Sequence, residues 1–95
     1  MATIRNLKKD VRFLTEQLLT DTLEVSEMVN EKDKQQVLDL VIEIARFHNE
    51  LIGKINHPDG KENPKLVKSY FRKISLDLLS GSNDIYAKIG KLIPE

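Results

Sequence analysis

The sequence predicts an all-α fold, a small bundle of four helices over approximately residues 4–29, 32–56, 64–80 and 83–93. Apolar residues recur at steps of three and four along most of the chain, and no stretch alternates with a period of two. Hydrophobic residues make up 40% and charged residues 32% of the 95 positions, which is ordinary for a globular chain. We therefore expect residues 1–95 to form a single helical domain.

The first predicted helix, over 4–29, has Thr3 as its capping residue and carries its charges in a polarised order. The basic residues of its first half are Arg5, Lys8, Lys9 and Arg12, and the acidic residues of its second half are Glu16, Asp21, Glu24 and Glu27. This order is the reverse of the one that a helix dipole favours. An antiparallel neighbour of the same sequence would set the basic half against the acidic half. Solvated faces with weak pairs such as Arg12 with Glu16 would explain the same order.

The second predicted helix, over 32–56, is apolar around more than half of its circumference. Asn30 is its expected N-cap, and the short connection before it indicates an antiparallel hairpin with the first helix. Its apolar residues fill an arc of roughly 220°, whereas a surface helix needs about 100°. The helix should therefore be covered on two or three sides, at the centre of the bundle. The arc is formed by Val37, Leu38, Leu40, Val41, Ile42, Ile44, Ala45, Phe47, Leu51, Ile52 and Ile55.

Turn signals divide the rest of the chain into two shorter helices. A Pro-Asp-Gly turn at 58–60 ends the second helix, and Asn63-Pro64 supplies an N-cap followed by a proline at the first helical position. Ser80-Gly81 then offers a glycine suited to the left-handed position that follows a helix. A last helix over 83–93 ends at Pro94. Placed end to end, the two shorter helices would match one long helix and form the third layer.

Four leucines lie off the main apolar stripes of their helices and form a predicted self-association surface: Leu19, Leu23, Leu76 and Leu79. Scattered surface leucines are also ordinary, and the fourth helix could cover some of them. We expect a non-enzymatic protein–protein interaction module whose partner is a second copy, as a homodimer, or another protein.

A basic stripe on the third predicted helix is the second candidate surface. It consists of Lys65, Lys68 and Arg72 on that helix, with Lys61 in the preceding turn. Such a stripe can bind an anion or an acidic protein, and an accessory nucleic-acid-binding function is the alternative. The stripe lacks the interleaved aromatic residues that single-strand binding favours, and fifteen basic and fifteen acidic residues cancel over the chain. A solvated face with no partner explains the same residues.

His48 is the one residue with a claim to catalysis. The segment Phe47-His48-Asn49-Glu50-Leu51 resembles the His-Glu-Leu of sensor-kinase dimerisation helices, and Gly53-Lys54 is similar to the lysine and glycine downstream of the active histidine in phosphotransfer domains. The resemblance implies phosphotransfer through His48. It departs from the phosphotransfer pattern at Leu51, which stands where that pattern has the lysine. The residues themselves predict a neutral core histidine, because His48 falls within the apolar arc.

The remaining chemistry of the chain points away from an enzyme. There is no cysteine, no glycine-rich phosphate loop and no nucleophile elbow, and the only other histidine is His57. We expect no catalytic residue, cofactor, metal ion or small-molecule substrate. The run Val37–Ala45 is too short and too charged to cross a bilayer, and the default location is the cytoplasm.

Overall fold

Three α-helices pack side by side in the computed structural model, which describes residues 4–57 and 63–94. They are α1 (Ile4–Ser26), α2 (Lys34–Asn56) and α3 (Pro64–Leu92), with a 3₁₀ turn at Glu31–Asp33 between the first two. The described part of the chain is a rod of 52 × 19 × 17 Å, and it contains no strand. The all-α prediction and the boundaries of the second helix are confirmed to within two residues.

The direction of the helices follows from which halves share a core. Leu7 and Val11 of α1 pack with Leu51 of α2 and Ile74 of α3. The first half of α1 therefore meets the second half of α2 and the first half of α3. Consequently α1 and α2 form the predicted antiparallel hairpin, and α3 runs parallel to α1.

The turn between α1 and α2 is held by a lysine rather than by the predicted cap. Lys34 Nζ donates to the carbonyl oxygen of Ser26 at 2.6 Å, which satisfies an end carbonyl of α1 with a cation at the favourable end of its dipole. The backbone N–H of Met28 donates to Val25 O at 2.9 Å and closes the last turn. Asn30 stands at the start of the 3₁₀ turn, but its side chain makes no capping bond. As a result α1 ends at Ser26, earlier than the predicted 29.

The start of α3 is confirmed in detail. Asn63 Oδ1 accepts from the backbone N–H of Lys65 at 3.0 Å and of Leu66 at 3.4 Å, and Pro64 occupies the first turn. This is the N-cap followed by proline that the sequence indicates. The predicted cap Thr3, the turn at 58–60 and the basic residue Lys61 lie outside the described residues.

The predicted break at Ser80-Gly81 is wrong, because α3 continues through it as one helix of 29 residues. The two predicted helices at 64–80 and 83–93 are therefore one, and the described chain has three helices rather than four. Gly81 faces the ring of Phe47, and a Cβ there would lie 2.5 Å from Phe47 Cζ and closer still to Cε1. The glycine serves the close approach of α3 to α2 instead of ending a helix.

The core consists of two apolar clusters that share Phe47. One is formed by Leu18, Val25, Val29, Val37, Leu40, Ile44, Ile85 and Ile89, and the other by Leu7, Val11, Leu51, Ile55, Ile74 and Leu78. Between them along the rod lie the buried polar residues Thr15 and Ser82. Thr15 Oγ1 donates to Val11 O at 2.7 Å, whereas Ser82 Oγ has no partner among the described atoms. The ring of Phe47 therefore joins the two clusters at the level where the core is interrupted.

The close approach at Gly81 predicts opposite effects for two helix glycines. Gly81→Ala should lower the free energy of unfolding by about 1–2 kcal/mol, because overpacking against Phe47 outweighs the gain in helix propensity. Gly90→Ala is the matched control, since no atom lies within 4 Å of its added Cβ, and it should raise the free energy of unfolding by about 0.5–1 kcal/mol. Urea unfolding followed by circular dichroism measures both. Equal stabilisation by the two alanines would contradict the packing at Gly81.

Candidate interaction surfaces

The apolar residues of α2 form two parallel seams, each with the steps of three and four that coiled coils use. The first seam is Val37, Leu40, Ile44, Phe47 and Leu51, and it faces the core. The second is displaced by one residue and consists of Leu38, Val41, Ala45, His48 and Ile52. Both α1 and α3 pack on the first seam. The second seam is less covered, although Ile52 at its end packs against a core cluster. The prediction that α2 is covered on two or three sides therefore holds only for part of its apolar arc.

A second seam on α1 runs beside that of α2. It consists of Arg12, Glu16, Leu19, Leu23 and Ser26, one residue on from the core positions of α1. A groove of about 250 Å³ separates the two seams, and its described lining residues all belong to α1 and α2. Leu23 is 54% and Leu38 53% exposed beside it. We call the apolar part of these two seams the open face, defined as Leu19, Leu23, Leu38, Val41 and Ala45.

Among the side chains that the structure describes, the charges of α1 form no ion pair within the chain. The salt bridge that the described residues form is Lys88 with Glu43, at 2.8 Å between α3 and α2. The expected pair of Arg12 with Glu16 is not formed. Arg12 therefore stands beyond one end of the open face, and Glu27, in the turn just after α1, stands beyond the other. Neither has an ion-pair partner within 4 Å in the described part of the chain.

His48 lies in the groove of the open face and not in the core. Its side chain is half-buried, and Nδ1 lies 3.1 Å from the Oδ1 atom of Asn49. The prediction of a core histidine is wrong because His48 falls on the second seam, one residue on from Phe47. An amide rather than a carboxylate orients the imidazole, so the ring lacks the usual partner of a catalytic base. Phosphotransfer through His48 stays a prediction that no observation tests.

The four leucines of the predicted self-association surface lie in two separate places. Leu19 and Leu23 belong to the open face, whereas Leu79 lines a different groove, between α1 and α3. Leu76 and Leu79 are 61% and 57% exposed. The sequence analysis did not predict that Leu38, Val41 and Ala45 belong to a surface. Their spacing of three and four residues was the signal that could have indicated it.

The groove between α1 and α3 is apolar and shallow. It has a volume of about 320 Å³ and is lined by Leu7, Asp10, Phe13, Leu14, Ser75, Leu78 and Leu79. Phe13, which is exposed, stands on its α1 side opposite Leu79 on α3. The sequence could not pair these two residues, because 65 positions separate them in the chain.

The basic stripe continues into these leucines along α3. Lys65, Lys68 and Arg72 are all exposed, and their spacing places them on one face of the helix. Leu76 stands one turn beyond Arg72 on that face, and Leu79 follows it. The fourth predicted member, Lys61, is outside the described residues. The stripe is thus the charged first half of a surface whose second half is apolar.

Tyr86 connects α3 to α1 through a carboxylate. Partial burial of the phenol raises the pKa of Tyr86 above its ordinary 10.0, and a hydrogen bond to Asp21 and the negative charge of Asp21 raise it further. The neutral phenol donates this hydrogen bond, and ionisation would place two negative charges side by side. The contact fixes α3 against α1 two turns beyond Leu79.

The raised pKa of Tyr86 predicts the pH at which this contact fails. Tyr70→Phe leaves Tyr86 as the single tyrosine, so its ionisation can be followed by ultraviolet absorbance. The phenol should titrate above 10.0, and Asp21→Asn should bring the midpoint back toward that value. Because the folded-state pKa is the higher one, the contact contributes to stability below pH 10.0 and is lost as the pH rises through the folded-state pKa. Titration at 10.0 or below in the folded chain would contradict the contact.

No protein-family model, curated protein or solved structure matches the chain. None of the described helices combines the length and apolar character needed to cross a membrane. The described residues also hold no group of three or more His, Asp or Glu side chains placed to bind a metal ion.

Proposed function

We propose that this chain is a non-enzymatic protein–protein interaction module that forms a homodimer through its open face. The observation that carries the proposal is the second seam of α2, which faces Leu19 of α1 across a shared groove, with Leu23 exposed one turn farther along α1. Two antiparallel helices with exposed apolar residues on one side are suited to pack against a second pair in a larger bundle.

The side of the rod that carries the open face is large enough for a dimer interface. One side of the rod measures 52 by 19 Å, which accommodates the roughly 800 Å² per partner of a standard interface. Leu23 and Leu38 are each more than half exposed, and burying what remains of each would contribute about 1 kcal/mol. The half-buried residues Leu19 and Val41 form the floor into which a partner's side chains would fit.

The charges of α1 favour an antiparallel arrangement of the two copies. A two-fold axis across the open face near Leu19 would place Arg12 of each copy opposite Glu27 of the other. The reversed charge order of α1, which its own dipole disfavours, would then be offset across the dimer. The charges set the register, and the leucines supply most of the binding energy.

A nucleic-acid-binding function has weaker support. The described cations Lys65, Lys68 and Arg72 span about two helical turns, and leucines follow them on the same face. A backbone-tracking surface needs positive charge over a longer path. The chain as a whole carries no net charge.

We retain the cytoplasm as the proposed location of the protein.

The dimer is tested by the solution mass of the chain and of two charge variants. Leu38→Glu places a carboxylate in the proposed interface and should weaken dimerisation at least about tenfold, because that charge would be buried without a partner. Leu66→Glu is the matched control, since Leu66 is 55% exposed on α3, away from the open face. Both sites are exposed, so circular dichroism should show both variants folded.

Light scattering after size exclusion, over a range of protein concentrations, measures the outcome. We expect a dimer for the unmodified chain and for Leu66→Glu, and a monomer for Leu38→Glu. A monomeric unmodified chain at all concentrations, or a dimer that Leu38→Glu leaves intact, would overturn the proposal.

A further inference from the structure

The surface where α3 borders α1 combines three features that the proposed dimer does not use. Its first part is cationic, at Lys65, Lys68 and Arg72. Its second part is apolar, where Leu79 shares a groove with the exposed ring of Phe13 and Leu76 is exposed on α3. A groove of about 320 Å³ runs along the apolar part between the two helices. The groove lies between α1 and α3, whereas the open face lies between α1 and α2.

We infer that this groove binds an amphipathic helix of another protein, apolar on one face and acidic over its first two turns. A shallow apolar groove between two parallel helices is a common binding site for a third helix. The bound helix inserts apolar side chains that are spaced three, four and seven residues apart. Leu79 and Phe13 form the two rims, and Leu14 and Leu78 form the floor.

The exposed apolar groups have no covering partner within the described chain. Phe13, Leu76 and Leu79 are among its most exposed large side chains, each more than half in contact with solvent. An apolar cluster of this kind on a surface rimmed by charge is typical of a protein-binding site. A bound helix would bury both rims of the groove, Leu79 and Phe13, at the same time.

Charge determines which end of the bound helix is acidic. The cations occupy only one end of the surface, because Lys68 and Arg72 precede Leu76 and Leu79 along α3. At the groove itself the exposed carboxylate of Asp10 stands on the α1 wall and would repel acidic groups there. Acidic residues near the start of a helix also complement its dipole, so the bound helix should begin at the cations and run parallel to α3.

Other occupants fit this surface less well. A nucleic acid would gain little from the apolar rims, and the carboxylate of Asp10 would oppose its phosphates. A second copy of this chain would have to supply a helix that is acidic in its first two turns. The acidic residues of α1 lie in its second half, and a contact between two different faces of the same chain would propagate into an open filament.

The test uses a fluorescently labelled synthetic helix as the probe. The peptide carries leucines at steps of three and four and glutamates in its first two turns, and a matched peptide has lysines in place of the glutamates. Binding to the full chain is measured by fluorescence anisotropy. We expect the glutamate peptide to bind at least about tenfold more tightly than the lysine peptide, with an affinity that falls as salt is added.

Variants of the chain locate the peptide. Leu79→Ser should weaken binding at least about tenfold, and Leu66→Ser, at a comparably exposed leucine of α3, should leave it within about twofold. Arg72→Glu should weaken the binding of the glutamate peptide and strengthen the binding of the lysine peptide. Misfolding of the variant would not produce such a reversal.

Five outcomes would overturn the inference. The first two are equal binding of the two peptides and no binding of either. Binding that is lost with Leu38→Glu and kept with Leu79→Ser would place the peptide on the open face. Binding of a single-stranded oligonucleotide that Arg72→Glu abolishes, with no peptide binding, would assign the surface to nucleic acid. Filament growth that Leu79→Ser abolishes would assign it to a second copy. The results with Leu79→Ser and Arg72→Glu do not depend on the dimer, because neither residue belongs to the open face.

Discussion

The ring of Phe47 fills the space that a side chain at residue 81 would need, and the course of α3 depends on that contact. Phe47 packs against both apolar clusters and joins them at the level where buried polar residues interrupt the core. Glycine at 81 lets the backbone of α3 approach the ring without a Cβ in the way. The helix therefore continues past this point to Leu92 and keeps Ile85 and Ile89 on the core.

The exposed surfaces follow from this continuous helix. A fourth helix folded back at residue 81 would have offered a layer for the outer side of α2. Since α3 remains on one side of the hairpin, no helix of the described chain covers the open face. The same straight course brings Leu79 of α3 to the groove with α1 and leaves Leu76 exposed. Both candidate surfaces thus follow from a third helix that stays on one side of the hairpin.

Sequence reasoning succeeded where the signal was local. The start of α3 at Asn63-Pro64 follows from capping chemistry, and the antiparallel hairpin follows from the short connection between its two helices. It failed at Gly81, because the sequence does not distinguish a glycine that ends a helix from one that makes room for an aromatic ring. The distinction requires knowing that Phe47 packs against residue 81. It also failed for His48, since a 220° apolar arc does not say which part of it faces inward.

Only part of each candidate surface could be predicted from the sequence, again because an apolar arc does not show which of its residues face inward. Leu19 and Leu23 lie clearly off the main stripe of their helix, whereas Leu38 and Val41 read as core until the number of covering helices is known. The pairing of Phe13 with Leu79 depends on the parallel packing of α1 and α3, which spacing alone does not contain.

The most direct test of the central claim, an antiparallel dimer through the open face, is the distance between identical spin labels on the two copies. The chain has no cysteine, so Thr20→Cys and Asn56→Cys each introduce one label, at exposed positions near the proposed axis and far from it. Pulsed electron resonance should give a short distance for the Thr20 pair. The Asn56 pair should be farther apart by roughly 40 Å, since each helical residue adds about 1.5 Å of rise on both sides of the axis. Similar distances for the two pairs, or no dipolar coupling between copies, would contradict it.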